Sequence, residues 1–67
     1  MTTPQRNQAI NHLRREAASL YAQAKAWTAQ ASASSASYAV ERYAMAEELT
    51  QRAESLDAAA TWLEVTA

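Results

Sequence analysis

His12 is the only imidazole in the chain, and there is no cysteine. A protein-bound zinc needs three or four nitrogen, sulfur or oxygen ligands held close together. One histidine among scattered carboxylates does not supply them, so neither a metal nor a cofactor is expected. Glu47 and Glu48 are adjacent, which on a helix sets them about 100° apart and keeps them from facing one substrate together. Glu54 and Asp57 share a helical face. General acid–base carboxylates are tuned by apolar surroundings, and these two read as solvated charge. The absence of glycine removes phosphate-cradling loops and the nucleophile elbow. The chain is expected not to be an enzyme.

The remaining chemistry is recognition. His12, Arg14 and Arg15 form a basic cluster, with Lys25 and Tyr21 one to three helical turns further on. Arginine suits bidentate contact with a phosphate, and a tyrosine ring offers a stacking face. A small phosphorylated or nucleotide ligand held between protomers is therefore one reading. In the other, Arg14 pairs with Asp57, Arg15 is ordinary solvated charge, and His12 sits on the surface near Asp57. A net charge of −1 argues against DNA, which needs a strongly cationic face.

Large apolar residues that fall off the regular hydrophobic pattern are the second recognition signal. Trp62 groups with Ala58 and Val65 on one stripe, and Val40 continues that face. Tyr38 and Met45 flank the pattern on the same segment. An exposed tryptophan in a short chain marks an interface. Self-association and a foreign protein partner both satisfy it.

The elements that must carry these residues follow from composition. The 67 residues include 18 Ala but only 5 Leu, 1 Ile and 2 Val, with no Phe. Alanine is the strongest helix former, and a near-neutral charge disfavours disorder. No apolar run is long enough for a membrane span and no signal peptide is evident, so a cytoplasmic location is expected. At this size one core seldom supplies more than about 3–5 kcal/mol. Without disulfides or a metal, homo-oligomerisation is the expected remedy.

Thr3 reads as a helix N-cap, with Pro4 in the first turn. Ile10, Leu13, Ala17, Leu20, Ala24, Trp27 and Ala31 then recur at alternating spacings of 3 and 4, a heptad seam. Extending that register past Ala31 would bury Glu41, Glu48, Arg52 and Ser55. The serine-rich stretch between predicts a turn instead, since serine favours caps and turns. A second seam runs through Ala39, Tyr43, Ala46, Leu49, Ala53, Leu56, Ala60 and Leu63.

Folding one segment antiparallel on the other pairs Trp27 with Tyr43, Ala24 with Ala46, Leu20 with Leu49, Ala17 with Ala53 and Leu13 with Leu56. It also brings Glu16 near Arg52 and Arg14 near Asp57. Leu13, Leu20, Leu49 and Leu56 are expected as the central core. Residues 1–31 hold four cations against Glu16, a net of +3, and residues 32–67 hold two cations against six anions, a net of −4. Opposite charge favours the two segments lying together.

The expected fold is all-α: one helical hairpin over 1–67, with helices at about 4–31 and 37–66 and a turn at about 32–36, dimerising into a four-helix bundle or similar oligomer. That architecture resembles small plasmid- and phage-type accessory proteins such as the Rop bundle, a likeness of fold. The expected function is a non-enzymatic regulator or inhibitor that binds a protein partner through a helical face. The alternative is the oligomeric binder or sequesterer of a phosphorylated ligand.

Overall fold

The computed structural model describes residues 2–66, which form two long helices packed side by side. Helix α1 spans Thr3–Ser32 and α2 spans Ala36–Val65, each 30 residues long. No residue has a positive φ and no cis peptide occurs among the described residues. The hairpin reverses direction through Ala33, Ser34 and Ser35 alone, tighter than the expected 32–36.

The start of α1 lies one residue earlier than expected. Thr2, not Thr3, is the N-cap: its hydroxyl accepts from the Gln5 N–H at 3.3 Å, and the Thr2 N–H donates to Gln5 Oε1 at 3.0 Å. The reciprocal pair needs a Gln or Glu three residues after the cap. Gln5 answers to Thr2 and leaves Thr3 without a counterpart. Pro4 falls inside the first turn, where its missing N–H costs no helical bond.

The turn closes without glycine. Ala33 N–H donates to the Gln30 carbonyl at 3.2 Å and Ser34 N–H to Ala31 at 3.1 Å, three-residue bonds that tighten the last turn and satisfy its orphan carbonyls. The Ser34 hydroxyl adds a bond to the Gln30 carbonyl at 2.6 Å. Ser35 occupies the N-cap of α2, but its side chain makes no capping bond. Its carbonyl accepts from Ala39 at 2.9 Å.

Contact between the helices is made of alanine. The buried residues are Ala17, Ala24 and Ala31 on α1, and Ala46, Leu49, Ala53 and Ala60 on α2. Ala53 and Ala60 are 0% exposed, whereas Leu49, at 8%, is the one buried leucine among the described residues. The expected leucine core is therefore corrected: Leu13, Leu20 and Leu56 are only half-buried. Small side chains let two helix axes approach toward the short end of the usual ~8–10 Å range. Leu49 is covered within that contact beside Ala24 and Ala46, whereas Leu13, Leu20 and Leu56 project to its side.

A second correction concerns α2. The ladder facing α1 runs 39, 42, 46, 49, 53, 56, 60, 63, with Arg42 half-buried at the position assigned to Tyr43. Tyr43 stands exposed, with its hydroxyl 3.4 Å from Ser32 Oγ. Arg42 serves the turn: its Nη1 donates to Ser34 Oγ at 3.0 Å, and its guanidinium carbon lies 5.5 Å from the Tyr38 ring centre. A long side chain with its charged end anchored at the mouth of the hairpin fits a seam position that a short one would leave open.

Thr28 and Thr50 turn their hydroxyls back onto the carbonyls four residues earlier, Ala24 and Ala46, at 3.0 and 2.8 Å. These bonds satisfy the hydroxyls without a partner from the other helix.

A bulkier residue at the tightest contact is expected to be rejected. Ala53→Leu should destabilise the fold by about 1–3 kcal/mol through overpacking, while Ala22→Leu on the outer face of α1 should change it by less than about 0.5 kcal/mol. Chemical denaturation at matched protein concentration measures both. A stabilising Ala53→Leu would show that the helices are not in close contact there.

Candidate functional site

The hairpin has two flanks, one on each side of the alanine contact, and they differ in chemistry. Arg14, Tyr21 and Thr28, each seven residues apart, line the first flank on α1. The α2 side of this flank holds Asp57, Thr61 and Glu64. Arg14 clasps all three: Nη1 donates to Asp57 Oδ1 at 3.1 Å, Nη2 to Thr61 Oγ1 at 3.2 Å, and Nη2 also to the Glu64 carboxylate. The bonds to Glu64 and then Asp57 push the Arg14 pKa up from its ordinary value, since each stabilises the charged guanidinium. Tyr21 is pushed up as well, first by partial burial and then by the negative charges of Asp57 and Glu54. Both causes disfavour a phenolate, so Tyr21 stays a neutral donor on this flank.

The second flank is apolar. Leu13, Leu20 and Trp27 come forward from α1, and Tyr38, Met45, Leu56 and Leu63 from α2. Two shallow grooves lie along it. One is floored by Leu20 and Leu56 and edged by Glu48, Gln51, Arg52 and Ser55. The other lies between Trp27, Tyr38 and Met45, with Glu41 and Arg42 at its rim. Leu20 and Trp27 pack against the Ala24–Ala46–Leu49 cluster with one side and leave the other open. Behind α2, away from α1, a third surface carries Val40, Ala58, Trp62 and Val65. Trp62 is 63% exposed and Val65 74%.

No protein-family model, curated protein or solved structure matches this chain. What the surfaces do must be read from their own geometry. The interface residues anticipated from sequence separate into two groups. Tyr38 and Met45 belong to the apolar flank beside Trp27. Trp62, Val65, Ala58 and Val40 form the surface behind α2, and Tyr38 and Val40 are among the most exposed large apolar residues.

The basic cluster also separates. Arg14 is fully engaged with α2, while Tyr21 and Lys25 follow it along the same flank. His12 precedes Arg14 by two residues, about 200° around the helix. It makes no hydrogen bond or ion pair with Asp57 among the described residues; that carboxylate belongs to Arg14. Arg15 is exposed on the outer face. The anticipated Glu16–Arg52 pair does not form within the chain. Arg52 instead bonds Glu48, one turn earlier on α2, at 3.1 Å. Among the described residues no group of three His, Asp and Glu side chains is placed to hold a metal ion, and no helix is long and apolar enough to cross a membrane.

Arg42 is the site residue that sequence reasoning missed. The signal was available in the strict alternation of 3 and 4 from Ala39 to Leu63, which selects position 42 over 43.

The clasp carries its own expectation. Arg14→Ala should lower the melting temperature more than Arg15→Ala, because only Arg14 bonds the opposite helix. The difference should shrink in molar salt, which screens ion pairs. Equal melting temperatures for the two variants would mean that the clasp contributes nothing to hairpin stability.

Proposed function

We propose that this chain is a small non-enzymatic helical interaction protein, an accessory regulator or inhibitor, that self-associates through its apolar flank and offers the surface behind α2 to a protein partner. The observation that carries the reading is the division of its large apolar side chains into two separate exposed surfaces on a rigid hairpin. A polar clasp on the remaining flank closes the hairpin itself.

The shape supports it. The Cα radius of gyration is 15.3 Å, against about 11 Å for a compact globule of this length. The accessible surface is 4740 Å² for 7.3 kDa, above the ~4,200 Å² of a compact monomer of that mass. An elongated hairpin one helix thick has no interior in which to enclose a substrate. It has long faces instead. Leu20, Trp27 and Leu56 lie half-covered on one of them, as helices of a four-helix bundle do before their second pair is added.

Behind α2 the apolar surface is interrupted by Glu47, Gln51 and Glu54. Apolar anchors with a polar surround are the usual anatomy of a protein–protein contact. Burying Trp62 at about 25 cal/mol per Å² would contribute a few kcal/mol to association. The partner suited to this face presents an apolar pocket with basic residues at its edge.

Trp62→Ala is expected to leave helicity and self-association unchanged and to abolish capture of the partner. The test is affinity capture from a lysate of the source organism, with wild type and variant side by side, followed by circular dichroism and sedimentation of each. A partner retained equally by the variant would remove Trp62 from the interface. A melting-temperature rise with a nucleotide, lost in Arg15→Ala, would instead favour a phosphorylated ligand.

A further inference from the structure

We propose that the occupant of the apolar flank is a second copy of this chain, related by a two-fold axis parallel to the helices, so that α1 of each copy lies on α2 of the other and both turns sit at the same end. The inference rests on the self-association part of the reading above and adds its geometry.

Two identical hairpins packed face to face have two simple closed arrangements. With the axis along the helices, α1 covers the partner's α2. With the axis across the helices, α1 covers α1, α2 covers α2, and the turns lie at opposite ends. Both arrangements leave every pair of neighbouring helices antiparallel, so helix dipoles do not choose between them.

Charge does choose. On this flank α1 places Arg6 and Glu16, and α2 places Glu41, Arg42, Glu48 and Arg52, so neither helix has a net charge there and the individual positions decide. An axis across the middle of the hairpin sets Glu16 within a turn of the other copy's Glu16, and Arg52 within a turn of its Arg52. The axis along the helices sets Glu16 on Arg52 twice. Opposed potentials across an interface favour association, and matched ones suppress it.

The charged residues bordering the flank agree. Glu16 makes no ion pair among the described residues, and Arg52 is bound to Glu48 on its own helix. The tight reversal, with α1 ending at Ser32 and α2 beginning at Ala36, sets the levels of the two antiparallel helices, and the Arg14–Asp57 contact agrees to within one turn. In that register Glu16 stands level with Arg52. An axis parallel to the helices preserves levels, so Glu16 of each copy meets Arg52 of the other across the interface. The same operation sets Leu13 level with Leu56 and Trp27 level with the groove at Met45. Glu16 and Arg52 are thus contacts between copies.

The absence of native cysteine makes the test direct. Ala33→Cys puts one spin label at the exposed turn, and pulsed dipolar spectroscopy reads the distance between copies. Turns at one end predict a separation under about 30 Å, from neighbouring helices spaced ~8–10 Å apart plus the labels. Turns at opposite ends predict a distance near the 51 Å length of the hairpin, which would overturn the arrangement while leaving self-association intact. Absence of any intermolecular distance would overturn both.

A charge swap checks the face. Glu16→Arg should raise the dimer dissociation constant about fivefold, and adding Arg52→Glu should restore it, as expected for two symmetry-related exposed pairs. An unchanged constant in Glu16→Arg would overturn the register even with a short turn-to-turn distance.

Discussion

Alanine packed against alanine is the constraint from which the rest of this structure follows. Ala17, Ala24 and Ala31 meet Ala46, Ala53 and Ala60 along nearly the whole hairpin. These methyl groups let the helices close on each other, but each contributes little, at roughly 0.8 kcal/mol per buried carbon. Close approach leaves the contact room for Leu49 but not for a full leucine core. Leu13, Leu20 and Leu56 are thereby displaced onto one side, half-covered. The contact that shapes the hairpin is the same one that leaves it apolar on a flank.

The other flank is resolved within the chain. Arg14 reaches three acceptors spread over two turns of α2, and Thr28 and Thr50 satisfy their hydroxyls on their own helices. Arg14 and the two threonines thus find their partners inside the hairpin. The two flanks are chemically unequal although both are generated by one heptad pattern. The inequality arises because the d positions of α1 carry Leu13, Leu20 and Trp27 while the next positions carry Arg14, Tyr21 and Thr28. A hairpin with one closed flank and one open flank has a defined side on which to meet a second body.

Much of this was legible in the residues. The 3–4 spacing on α1 gave the helix and its facing positions, and the serine stretch gave the reversal. Opposite charges at positions 14 and 57 gave the register that the clasp displays. Three features depart from the expected reading for physical reasons. Assigning leucine to the core follows from hydrophobicity alone, but how far alanine lets helices approach decides whether leucine fits between them. Arg42 was passed over because charge usually excludes a residue from a seam; its stem packs there only because Ser34 and Tyr38 receive its guanidinium. Glu16 and Arg52 share a level but not a contact, because Glu48 on the same helix is closer to Arg52. For the surface behind α2, Trp62 was recognisable as off-seam from its spacing. No residue pattern names what binds there.

The central proposal is that the open leucine flank is covered by a second chain, and the mass of the wild-type protein in solution tests it most directly. Sedimentation equilibrium at tens of micromolar and near-neutral pH should return twice the 7.3 kDa chain mass, falling toward the single-chain value on dilution together with helicity. A single-chain mass up to millimolar concentration, with full helicity retained, would contradict it: alanine contact alone would then hold the hairpin, and the exposed leucines would need another explanation.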